Sequence, residues 1–135
     1  DVAAANWQDW DMKHVLHFRW VVKSLNEDSI LGWAALSPVS SRAVFSGVAE
    51  LSIYVDTDFL GKGLGKILMQ KVIESSEDHG VWMLQSGIFP ENIASISLHE
   101  KFGFRLVGRR EKIGKMANGR WRDIVLMERR SEKVG

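Results

Sequence analysis

The sequence contains no cysteine, two prolines and one tyrosine among its 135 residues. Lack of cysteine excludes disulfides, a thiolate nucleophile and cysteine-ligated zinc, and it fits a reducing compartment. A surplus of either charge is missing too. Lys and Arg number 18 against 17 Asp and Glu, for a formal charge of +1, which gives no bulk attraction to nucleic acid or to an anionic membrane. Apolar runs of bilayer-spanning length, low-complexity stretches and linkers are likewise absent. With 45% apolar and 26% charged residues, the composition is that of one globular domain over residues 1–135, expected in the cytoplasm.

What is present is a mixture of strand and helix patterns. "NWQDWDMKH", Asn6 to His14, reads as a short helix or ordered turn. "VLHFRWVVK" and "SILGWAALSP" are rich in β-branched and aromatic residues, and they form a predicted hairpin with Asn26 to Ser29 at its turn. In "GVAELSIYV" the alternation puts Ala49, Leu51, Ile53 and Val55 on one face and Val48, Glu50, Ser52 and Tyr54 on the other. Leu64, Ile67, Leu68 and Val72 recur at helical spacing up to His79-Gly80. A strand in "VWMLQSGIF" precedes a helix capped by Asn92 and closed by Gly103, with Ser95, Leu98, His99 and Phe102 facing inward. Two last strands flank the turn pair Asn118-Gly119. Six scattered tryptophans, Trp7, Trp10, Trp20, Trp33, Trp82 and Trp121, are predicted for the core or for subunit contacts. "RRSEKVG" reads as a solvated tail.

The glycine-rich stretch "TDFLGKGLGKILMQKV" runs directly into the first long helix pattern. Unpaired N–H groups in a helix's first turn, the helix dipole and the bare backbone of Gly61, Gly63 and Gly65 together suit an anion, with Lys62 and Lys66 adding charge. A tight turn serving geometry alone is the competing reading. The nucleoside-triphosphate loop is excluded, because Leu60 and Ile67 stand where it needs Gly and Ser or Thr. A dinucleotide fingerprint fails as well, since Lys66 or Leu68 replaces its third glycine.

"LGKGLG" resembles the R/Q-x-x-G-x-G/A pyrophosphate loop of the GNAT superfamily of N-acetyltransferases, with Leu60 where Arg or Gln is usual. "SSR", "GVAELSIYV", "IFPENIASISLHEKFGF", "RREKIGKMANGRW" and "RDIVLMERRS" are similar, in order and spacing, to the phosphinothricin and methionine-sulfoximine acetyltransferase branch. The resemblance implies an α/β fold with a mixed, mostly antiparallel sheet flanked by helices. It also implies acetyl-coenzyme A (acetyl-CoA) as co-substrate, a small amine as acceptor, no metal and a homodimer. Members begin with a strand and helix before the segment matching "NWQDWDMKH", so the chain is expected to be N-terminally truncated, with part of the sheet edge and acceptor site uncovered.

The same resemblance supplies candidate roles. Backbone N–H groups of Lys62, Gly63, Leu64, Gly65 and Lys66 would hold the diphosphate, and the main chain of Ile53, Tyr54 and Val55 would pair with the pantetheine arm. Glu50 is the expected general base, a partly buried strand carboxylate whose pKa burial would raise, against the reading of a structural Glu paired with Arg42 or a sheet neighbour. His99 occupies the position of a proton-relaying acid, or is a satisfied core histidine. His14, His17 and His79 share no spacing with it, and no metal site is expected. Asn92 caps its helix and, by resemblance, bonds the pantetheine, with Ser97 and Lys101 reaching the coenzyme from the same helix. Arg42 either clamps a substrate carboxylate or is a solvated loop residue. Two further readings stand beside an amino-acid acetyltransferase: a non-catalytic acyl-CoA binding module, and an acetyltransferase for protein or polyamine amines.

Overall fold

The computed structural model describes residues 19–23, 30–56 and 63–135. The segment Asn6 to His14, the turn Asn26 to Ser29, and Gly61 and Lys62 of the glycine loop lie outside the described residues, as do Trp7, Trp10, His14 and His17. In chain order the elements are β1 (Arg19–Lys23), β2 (Ile30–Pro38), a 3-10 turn (Ala43–Phe45), β3 (Val48–Val55), α1 (Leu64–Asp78), β4 (Met83–Ile88), α2 (Ile93–Lys101), β5 (Arg105–Lys115) and β6 (Trp121–Arg130). Among the described residues the predicted order of strands and helices is met. The described strands form one mixed sheet of order β1-β2-β3-β4-β6-β5. Only β3 and β4 run parallel, and a parallel pair requires a crossover, which α1 supplies.

Leu64, Leu68, Met69, Val72 and Ile73 of α1 are buried against Ala34, Leu36, Ala49, Leu51 and Leu84 of the sheet. Each such leucine contributes about 1.5–3 kcal/mol by leaving water. Ile67, expected in this stripe, is instead 40% exposed. The stripe advances through residues 68, 69, 72 and 73, so Ile67 falls on the helix flank. α2 packs on the same sheet face, where His99 meets Ser86 of β4. The opposite face, bearing Trp33, Glu50, Ser52 and Tyr54, is exposed, and Trp33 stacks on Tyr54 with ring centroids 6.2 Å apart. Of the described tryptophans, Trp20 alone is fully in the core. Trp33 and Trp121 stand on surfaces that no described element covers. No helix among the described residues is long and apolar enough to cross a membrane.

The β5–β6 turn closes as the Asn-Gly pair predicts, with Gly119 at φ 84 and its N–H donating to the Met116 carbonyl. The C-terminal segment corrects the expectation of a solvated tail. Ser131 is buried, its N–H donates to the Trp82 carbonyl at 2.9 Å, and its hydroxyl donates to Glu77 Oε2 at 2.7 Å. Arg129 also reaches Glu77, at 3.3 Å, and donates to the Phe102 carbonyl at 2.8 Å, so one carboxylate ties α1, β6 and the end of α2 together.

Burial works to raise the pKa of Glu77, but the hydrogen bonds from Ser131 and Arg129, with the charges of Arg129 and Lys133, prevail and hold it below its ordinary 4.5. A carboxyl depressed in the fold adds stability above its unfolded pKa, and that stability is lost as pH falls through the folded value. Glu77→Gln is therefore expected to lower unfolding free energy at neutral pH by about 1–3 kcal/mol. It should also flatten the acid side of the stability curve below pH 4.5. Urea melts across pH check this, and identical acid limbs in parent and variant would refute it.

Candidate active site

The site grows from a parting of two strands. β3 pairs with β4 only through Val48–Met83, Ala49–Leu84 and Glu50–Gln85. Its other edge stays paired with β2 as far as Val55. Beyond Glu50 the two strands diverge, which leaves the backbone of Ile53, Tyr54 and Val55 without a strand partner on the β4 side. α1 begins beside this gap. Its N-terminal cap is Gly63, at φ 80, with no side-chain hydrogen bond to the first turn. Among the described residues no side chain caps the N–H groups of Leu64, Gly65 and Lys66, which face the gap as donors for a ligand.

A cavity of about 580 Å³ fills the gap. Ile53, Tyr54, Val55, Gly63, Leu64, Gly65, Lys66, Asn92, Ser97 and Lys101 all line it, so the structure brings together every described residue predicted to hold the coenzyme. Ala94, Ser95 and Leu98 complete the wall and were not predicted. Steps of three along α2 from Asn92 reach Ser95 and Leu98, and a step of three back from Ser97 reaches Ala94. The donor set suits a diphosphate carried on an apolar-walled chain: free N–H groups at a helix start, Lys66 and Lys101, and an unpaired strand edge. Gly65 leaves room that a side chain would take, since a Cβ there would lie 3.1 Å from Leu98 Cδ2. Asn92 performs its capping role, its side-chain oxygen accepting from the Ser95 N–H at 3.1 Å.

Glu50 stands at the last β3–β4 pair, where the strands part. Its side chain is exposed, contrary to the partial burial expected, because both described helices lie on the other face of the sheet. Gln85 Nε2 donates to its Oε1 at 3.4 Å, so a sheet neighbour and not Arg42 is its partner. Arg42 precedes the 3-10 turn, is exposed, and places its guanidinium 5.8 Å from the Phe45 ring centre. It does not line the cavity.

His99 is 1% exposed and is not part of the cavity wall. Its Nδ1 lies 2.7 Å from the Ser95 carbonyl, which can only accept, so Nδ1 carries the proton. Nε2, 2.9 Å from the Ser86 oxygen, then accepts from that hydroxyl. Burial pushes the imidazole pKa below 6.5, outweighing the Ser95 bond that favours the charged form. An edge contact with Phe104 at 4.8 Å completes its packing. Of the two readings of His99, this geometry is that of the satisfied core histidine.

A strand pair that parts beside a helix start with no side-chain cap suits a diphosphate on an extended arm, and the chain belongs to the Acetyltransferase (GNAT) family, whose sequence profile matches residues 2–104. It is similar to L-methionine sulfoximine/L-methionine sulfone acetyltransferase of Pseudomonas paraeruginosa, with 34% identity over 128 residues, covering 94% of this chain and 74% of the relative. Among solved structures, ribosomal-protein-alanine N-acetyltransferase from Brucella melitensis shares 31% identity at a TM-score of 0.78, over 85% of this chain and 69% of that one. The phosphinothricin acetyltransferase of Sinorhizobium meliloti in complex with AcCoA shares 27% at a TM-score of 0.77, over 87% of this chain and 63% of that one.

Proposed function

We propose that this acetyltransferase moves the acetyl group of acetyl-CoA to the amine of a small amino acid or analogue of the methionine sulfoximine and phosphinothricin kind, by direct attack in a ternary complex. The observation that carries the reading is the cavity between the parted β3 and β4, closed at one end by the uncapped start of α1. There the N–H groups from Gly63 to Lys66, together with Lys62, hold the diphosphate while Lys66 and Lys101 offset its charge. The edge of Ile53, Tyr54 and Val55 takes the pantetheine as an added strand, and a free N–H on it polarises the thioester carbonyl. Asn92 and Ser97 offer further hydrogen bonds from α2.

Glu50, at the point of divergence, takes a proton from the ammonium group directly or through water; the neutral amine adds to the thioester carbonyl, and the tetrahedral adduct then collapses with cleavage of the C–S bond, the second proton lost by nitrogen passing to sulfur so that amide and thiol leave. His99 fixes α2 against β4 and moves no proton. Arg42, which has no carboxylate partner among the described residues, is the candidate for the acceptor's carboxylate. A cytoplasmic homodimer completes the reading, supported by the lack of cysteine and by exposed Leu106, Val107 and Trp121 on the outer hairpin.

The test is thiol release from acetyl-CoA with methionine sulfoximine, phosphinothricin, a panel of amino acids and a peptide with a free α-amine. Release is expected fastest with the first two. Turnover of the peptide alone would overturn the acceptor class. Coenzyme binding without release for any amine would leave a binding module.

A further inference from the structure

Alternation along four strands lines up one row of polar side chains on the open face of the sheet. Register sets Glu50 of β3 opposite Gln85 of β4, Gln85 opposite Glu128 of β6, and Glu128 opposite Arg105 of β5. Hydrogen bonds join both ends of the row: Gln85 Nε2 to Glu50 Oε1 at 3.4 Å, and Arg105 to Glu128 Oε2 at 2.5 Å. On the other side of Glu50, the β2 partner is Ser37, paired with it through the backbone ladder. Among the described residues, Gln85 is the side chain that bonds the Glu50 carboxylate.

A side-chain amide nitrogen carries two N–H groups, whereas a carboxylate only accepts. Gln85 is thus a neutral donor between two carboxylates that stand two strand spacings, roughly 10 Å, apart. Resting on the reading of Glu50 as base, we propose that Gln85 is its positioning residue: it aims the carboxylate along the open face and separates it from Glu128. Other charged or titratable groups on this face are Tyr54 on β3, Arg19 on β1, Arg122 and Arg130 on β6 and Arg110 on β5, as register assigns them.

Two substitutions test the role. Gln85→Glu sets a third carboxylate one strand spacing from Glu50, and Gln85→Met removes the donor at similar volume. The carboxyl carbon of Glu50, assigned with Glu50→Gln, is followed by NMR through a pH titration of the whole chain. Its midpoint is expected to rise by about half to one pH unit in Gln85→Glu, through like-charge repulsion, and by less in Gln85→Met. The acidic limb of kcat/KM should move by the same amount, with acetyl-CoA affinity unchanged, since Gln85 does not line the cavity. An unmoved midpoint in both variants overturns the proposal whatever the rates do. A midpoint that moves while the rate limb stays put supports the contact and removes Glu50 as base instead.

Discussion

Glu50→Gln is expected to lower kcat by about 10²–10⁴-fold, the range for losing a general base, while acetyl-CoA binds as before. The substitution keeps shape and keeps an acceptor oxygen for Gln85 Nε2, but an amide cannot take a proton from an incoming ammonium group. Glu50 does not line the cavity, so calorimetric affinity for the coenzyme reports an intact site. Rate should recover in part at high pH, where more of the acceptor arrives neutral. Equal turnover and an identical acidic limb in parent and variant would remove Glu50 from the chemistry.

Gly65→Glu is expected to weaken acetyl-CoA binding by at least about tenfold, equivalent to 1.4 kcal/mol. The new side chain would start 3.1 Å from Leu98 Cδ2, on the cavity wall. Its carboxylate would offer the first turn of α1 an internal anion in place of a bound one. The same change favours the helix, because glutamate is a better helix former than glycine and its charge suits an N-terminus. Thermal stability should therefore hold or rise as affinity falls, which separates lost binding from lost folding. Parent-like affinity would mean that the start of α1 holds no diphosphate.

Local chemistry wrote much of this fold into the letters. Asn92 caps α2 as predicted, Gly119 turns the last hairpin, and alternation in β3 gives the observed burial of Ala49 and Leu51 beside exposed Glu50 and Ser52. Gly63, Gly65 and Asn92 of the cavity were legible for the same reason, since glycine's free backbone and asparagine's capping oxygen mark element ends, whereas Ile53, Tyr54, Val55, Ser97 and Lys101 were named through the family resemblance. What the letters concealed depends on partners distant in sequence. The parting of β3 from β4 after Glu50 is a property of two strands separated by a helix, and nothing in "ELSIYV" announces it. Exposure of Glu50 follows from where both helices pack. Ser131 looked like tail chemistry until Glu77, 54 residues away, was beside it.

The pairing of β2 with β3, from Gly32–Val55 to Pro38–Ala49, has a consequence for failure. A slip of one residue along that ladder would turn Leu51 outward and drive Glu50 in among leucines, since neighbouring strand positions point to opposite sides. Misregistration would thus abolish solubility and chemistry at one stroke, and a chain that folds at all is already aligned for its reaction.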